Sequence, residues 1–133
     1  MAIVAAGLVG LRVGEEGQAG TLEVDTRLTG QGLTASARVT ETGIGRIVAI
    51  ESEKLPVLDN KREFYEVWFV GPGDSEQSPN RVSAGTFHPD ERGRASVRLA
   101  AAVVPKNYPV VSVTREPRNG DPRNTGPEVL RSS

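Results

Sequence analysis

A chain of 133 residues suits one domain that buries about two-thirds of its unfolded surface, and two domains of half that length would each lack core. Sixteen Lys and Arg against 17 Asp and Glu give a formal charge of -1, which excludes a summed field that would recruit nucleic acid or an anionic membrane. The absence of Cys excludes disulfides, thiolate zinc sites and thiol redox chemistry.

The first apolar stretch, Ala2 to Leu11, is shorter than the roughly 20 residues that span a bilayer, and it lacks the basic region and cleavage site of a secretory signal. Two readings stand. It is either a leading strand or short helix packed on the domain, or the outer end of a transmembrane helix with Arg12 and Glu15-Glu16 at the interface. Gly14 to Gly20 reads as a flexible tether. The sequence thus divides into residues 1–20 and a folded domain over 21–133.

From Thr21 the side chains alternate with period two. Leu22, Val24, Thr26 and Leu28 form one face of a strand that closes at Thr29-Gly30-Gln31-Gly32. Leu33 to Thr40 alternates again with small inward residues, and Thr42-Gly43-Ile44-Gly45 turns the chain into Arg46 to Ser52. These are expected to be consecutive antiparallel strands. Leu55 to Asn60 is a connection carrying apolar side chains, where Pro56 opposes a central ladder position.

The scarce aromatics concentrate in Phe64-Tyr65-Glu66-Val67-Trp68-Phe69-Val70, which holds the one Trp and two of three Phe. This run is bounded by a Gly/Pro turn and is apolar on both faces except at Glu66, so it is expected to be an interior strand. Glu66 then requires a partner or an edge. Gly71 to Arg81 reads as an exposed loop, Val82 to Phe87 as a strand, Pro89 to Gly93 as a turn, and Ala95 to Leu99 as the strand that completes a hairpin. Ala100 to Val104 extends that strand or makes one helical turn. Pro109 to Thr114 and Glu128 to Leu130 are the last strands, with a polar loop between them. About eight short strands and no ordinary helix predict an all-β antiparallel β-sandwich, immunoglobulin-like or Greek-key.

Residues able to carry chemistry do not assemble into a recognisable set. His88, the only His, lies between Phe87 and Pro89 at a strand end and reads as a solvent-facing turn residue rather than a base. The pairs Glu15-Glu16 and Asp90-Glu91 lie in polar surroundings that would not raise a carboxyl pKa for acid–base work. Asp121 with Asn119 and Asn124 could hold calcium, yet the spacing differs from an EF-hand and Arg118 and Arg123 oppose a cation. Gly71-Pro72-Gly73 precedes no helix and lacks Lys, so no phosphate cradle is supported. Trp68 and Tyr65 read as core. No catalytic residue, metal ligand or cofactor site is expected.

The order of motifs is more specific. Tyr65-Glu66-Val67-Trp68, Ala84-Gly85-Thr86-Phe87, Asp90 with Gly93, Val113-Thr114-Arg115-Glu116-Pro117 followed by Gly120, and Thr125-Gly126-Pro127 before Val129-Leu130 together resemble the C-terminal domain of the anti-sigma-K factor family. The resemblance covers Phe64 to Leu130, and upstream of Leu55 only strand character supports it. Its motif residues, Tyr65, Trp68, Gly85, Phe87, Asp90, Gly93, Thr114, Glu116, Pro117, Gly120, Gly126 and Pro127, are read as structural. For Glu116 this means accepting hydrogen bonds from loop amides, and for the glycines it means turns or close strand approach.

The resemblance implies a non-enzymatic regulator of the cell membrane whose C-terminal domain is extracytoplasmic. It implies a cognate extracytoplasmic-function sigma factor held through a cytoplasmic segment that this chain lacks, and a membrane protease acting near the tether. No nucleic-acid partner is expected. The alternative is a secreted or surface-attached β-sandwich binding module without a transcriptional role.

Overall fold

The period-two alternation becomes eight strands in the computed structural model, which describes residues 20–123 and 126–133. They are β1 (Thr21–Gly30), β2 (Leu33–Thr42), β3 (Gly45–Ser52), β4 (Glu63–Val70), β5 (Arg81–Phe87), β6 (Ala95–Ala101), β7 (Val110–Pro117) and β8 (Glu128–Ser132). No helix occurs among the described residues, hence none long and apolar enough to cross a membrane. The leading apolar stretch, residues 14–19 of the tether, and Thr125 of the last motif lie outside the described residues.

Every pairing is antiparallel, in the order β5-β4-β7-β8-β1-β2-β3-β6. The all-β antiparallel class therefore stands, with one change of architecture. In place of two separate sheets, one sheet curls until its edges β5 and β6 lie side by side, giving a nearly closed, barrel-like form. The expected hairpin of β5 with β6 does not occur, because β6 pairs with β3 from Arg46↔Ala101 to Ser52↔Ala95. The β5–β6 connection is pulled aside instead, since Gly93 O accepts from Leu55 N at 2.6 Å. The seam is closed by side chains, with Leu99 of β6 packed on Gly85 of β5.

Strand β4 lies between β5 and β7, as its two apolar faces demand. Tyr65, Val67 and Phe69 point inward and are fully buried with Leu28, Val39, Val48, Ile50 and Val113. The small inward residues of β2, Ala35 and Ala37, admit these large neighbours. Leu22 departs from expectation. A bulge between Leu22 and Val24 sets Leu22 opposite Thr40 instead of on the inward row, and it is exposed.

The loops sort to two ends. One end carries the β1–β2 turn, the 53–62 loop, the 88–94 loop and the approach to β8. The other carries the start of β1, the β2–β3 hairpin, the 71–80 loop and the 102–109 segment.

Candidate functional site

The motif residues converge on β4, β7 and the loops at the first of these ends. Inside the barrel, the Tyr65 hydroxyl donates to Pro56 O at 2.7 Å, and its ring lies 5.4 Å from that of Phe87. Burial raises the phenol pKa. Above it, Arg115 donates to both carboxylate oxygens of Glu63, at 2.8 and 2.7 Å. That bidentate hydrogen bonding lowers the Glu63 pKa and raises that of Arg115.

The opposite face of the same two strands is also buried. Trp68, on the outer row of β4, donates from Nε1 to Thr114 Oγ1 at 2.9 Å, and the Arg81 guanidinium lies 5.4 Å from the centre of the indole. Asp74 holds Arg81 at 2.7 Å and accepts from Asn80 N at 2.7 Å. Its pKa is lowered chiefly by the Arg81 hydrogen bond. Ser112, beside Thr114 on this row and equally buried, donates to Glu128 at 2.6 Å, and Glu128 also pairs with Arg131. The 71–81 segment is mostly exposed, as expected, yet its Arg81, held by Asp74, covers Trp68.

Glu66 finds a partner on that face. Its carboxylate accepts from Ser83 Oγ at 2.5 Å, while burial and the nearby charge of Glu116 raise its pKa. Glu116 is 2% exposed and accepts from Gly126 N at 3.0 Å, clamping the 118–127 loop against β7. Arg115 N donates to Pro127 O at 2.9 Å on the same loop. A Cβ on Gly126 would overlap the Arg115 carbonyl, so only glycine fits there. Pro117 ends β7, and Gly120 turns the loop with a φ of 79°.

The remaining motif residues shape the neighbouring loop. Asp90 accepts from the amides of Arg92 and Arg94, both at 2.9 Å, and these bonds lower its pKa. Gly93 closes this turn at φ 83°, where a Cβ would also strike Leu55 O. Gly85 sits at the bulge where β4 and β5 shift register, with φ 125°.

A cleft of 540 Å³ opens beside this turn, lined in part by Glu51, Glu53, His88, Asp90, Arg94 and Ser96. The structure corrects the solvent-facing reading of His88. The ring is half-buried and its Nε2 lies 2.9 Å from Glu63 O; because a carbonyl only accepts, that nitrogen carries the proton. Asp90, beside it in the cleft, is committed to its own turn. Among the described residues no group of three or more His, Asp or Glu is placed to hold a metal. In the loop weighed for calcium, Arg123 takes the Asp121 carboxylate at 2.7 Å and lowers its pKa to about 2, so the carboxylate is engaged by a guanidinium.

Sequence reasoning missed Asp74, Arg81, Ser112 and Glu128. An acid and a base seven residues apart in a Gly/Pro-rich loop carry no periodic signal, and polar residues on a strand read as solvent-facing until a second layer covers them. The chemistry these residues perform is mutual satisfaction of buried polar groups. It locks loops to strands.

Among known families, the chain matches the one described as anti-sigma-K factor rskA, C-terminal, over residues 1–128. The match extends through the amino-terminal half, where the sequence motifs were silent. Neither the curated proteins nor the solved structures compared with the chain give a match.

Proposed function

Because the chain belongs to the anti-sigma-K factor family through its C-terminal domain, we propose that it is the extracytoplasmic sensory and regulatory domain of a membrane-anchored anti-sigma factor. Membership implies a sigma factor as partner. The finer reading is that the sigma factor belongs to the extracytoplasmic-function class and is released by regulated proteolysis near residues 14–20. The barrel controls access: folded, it shields the juxtamembrane segment, and a change in its state exposes that segment to a membrane protease.

The family match over residues 1–128 carries this reading. Two features support it. The motif residues are spent on locking loops to strands, which suits a domain whose folded state is itself the signal. Upstream, Gly14 to Gly20 contains three Gly and no large apolar anchor, the composition of a cleavable tether.

Sidedness tests the proposal. With the native upstream sequence in place, an epitope after Ser133 should be degraded by protease added outside spheroplasts, while sigma-dependent transcription stays low in unstressed cells. An epitope protected until the membrane is permeabilised would place the barrel in the cytoplasm and overturn the reading.

A further inference from the structure

Four large apolar side chains stand exposed among the described residues, and three of them share one end of the barrel. Ile44, at the tip of the β2–β3 hairpin, is 82% exposed, and Leu22 and Val104 are about half exposed. Register places them together: Thr21 pairs with Glu41, Thr42 with Gly45 and Arg46 with Ala101, so β1 starts and β6 ends where the hairpin turns. Val57, the fourth, lies in the 53–62 loop at the opposite end.

This tip is built to hold its shape. Thr42 Oγ1 donates to Gly45 O at 2.8 Å and accepts from Ile44 N at 3.2 Å, while Gly45 takes the positive φ of the turn. The four residues from Thr42 to Gly45 are uncharged. Behind them Arg46 pairs with both Glu23, at 2.9 Å, and Glu41, at 3.5 Å, so that one net negative charge remains on this triad. The bulge that turns Leu22 outward adds a second apolar side chain at this end. The chain also enters the barrel here, at Gly20 beside Glu41 and Thr42, downstream of the charge-free run from Ala2 to Leu11.

We propose that this end is a lipid-facing surface, in which Ile44, Leu22 and Val104 enter the interfacial layer of a bilayer and fix the barrel against it. The inference rests on the membrane-anchored reading above. A hairpin tip whose four residues are uncharged and whose flanking charges are tied into one ion-pair triad offers little to specify a protein partner, whereas an interfacial layer asks only for apolar area at a fixed depth. With Arg46 already engaged by two carboxylates and a net charge of -1, anionic lipid should not strengthen the contact.

The absence of Cys makes Ile44→Cys and Val57→Cys unique labelling sites for an environment-sensitive fluorophore. The full chain, carrying a hexahistidine tag before Met1, is held on phosphatidylcholine vesicles by a small fraction of nickel-chelating lipid. The label at position 44 should shift to the blue and be quenched by brominated lipid, while that at 57 stays unchanged. Ile44→Asp should abolish the matching signal of a label at Leu22→Cys. A silent label at 44 on the tethered chain would overturn the proposal, as would equal responses at 44 and 57, which report adsorption without orientation. A shift at 44 that follows protein concentration without vesicles would assign the tip to contact between copies instead. Fractionation of the full-length protein with the cell membrane is read separately, so that loss of anchoring is distinguished from a barrel that is anchored but does not dock.

Discussion

Trp68 is held by two interactions of different kind, the hydrogen bond to Thr114 and the guanidinium of Arg81 over its ring. Trp68→Ala removes both along with the packing, and should cost roughly 3–5 kcal/mol in denaturant unfolding. Thr114→Val keeps the shape and strands a buried indole N–H, so a loss of about 1–3 kcal/mol is expected. A Thr114→Val change near zero would mean that water reaches the indole. Glu66 makes a prediction of opposite sign to that for Asp74. Its pKa is raised in the folded state by burial, so the fold binds its proton more tightly than the unfolded chain does. Its contribution is fully present below the ordinary value of 4.5 and diminishes as pH rises through the raised folded value. Glu66→Gln should therefore gain on the wild type as pH climbs from 4 to 7, read from unfolding midpoints at each pH. Asp74, with a lowered pKa, contributes above the ordinary carboxylate value and loses that contribution as pH falls. Asp74→Asn should accordingly narrow its deficit against the wild type on acidification.

At the scale of elements, the first turn and the seam are two places where the chain departs from ideal. Gln31 holds φ 51° and Gly32 φ 75° in the two-residue β1–β2 turn, so a Gln occupies a left-handed position that Asn or Gly tolerates better. Gln31→Asn should stabilise the fold by about 0.5–1 kcal/mol, a part of the left-handed penalty. Because Gln31 also donates to Glu128 O at 3.2 Å, a gain smaller than this would measure that bond. The seam between β5 and β6 lacks a ladder, so amides on the facing edges should exchange with solvent faster than those of β4 and β7. Uniform protection across the eight strands would mean that the barrel closes by hydrogen bonds. Strand positions were legible in the sequence because alternation with period two is a local property, and the aromatic run marked β4 as interior. The partner of β6 was not legible. Nothing within Ala95 to Ala101 distinguishes β3 from β5 as a neighbour, and the bond that holds the intervening loop, Leu55 to Gly93, joins residues 38 apart. The bulge at Leu22 was hidden for the same reason, since a one-residue register shift leaves the local pattern unchanged.

Considered as a whole, the molecule uses its motif residues to fasten loops to a barrel. Glu116, Gly126 and Pro127 fix the last loop, Asp90 and Gly93 fix the loop before β6, and Tyr65 fixes the 53–62 connection. The order of those motifs made the family readable from Phe64 onward. Their roles were partly readable: Gly and Pro at turns follow from backbone sterics, whereas the outer layer over Trp68 depends on Asp74 and Arg81, which only the folded chain brings together. Cells in which the full-length protein carries Trp68→Ala or His88→Ala test the access-control account most directly, through paired readings of sigma-dependent transcription and of fragments cut between residues 14 and 20. The account predicts that Trp68→Ala, by destabilising the barrel, changes both readings together, while His88→Ala, a variant that removes one hydrogen bond and no assigned chemistry, leaves both near the wild type. A Trp68→Ala protein whose barrel is measurably destabilised but whose cleavage and sigma-dependent transcription stay unchanged would contradict it.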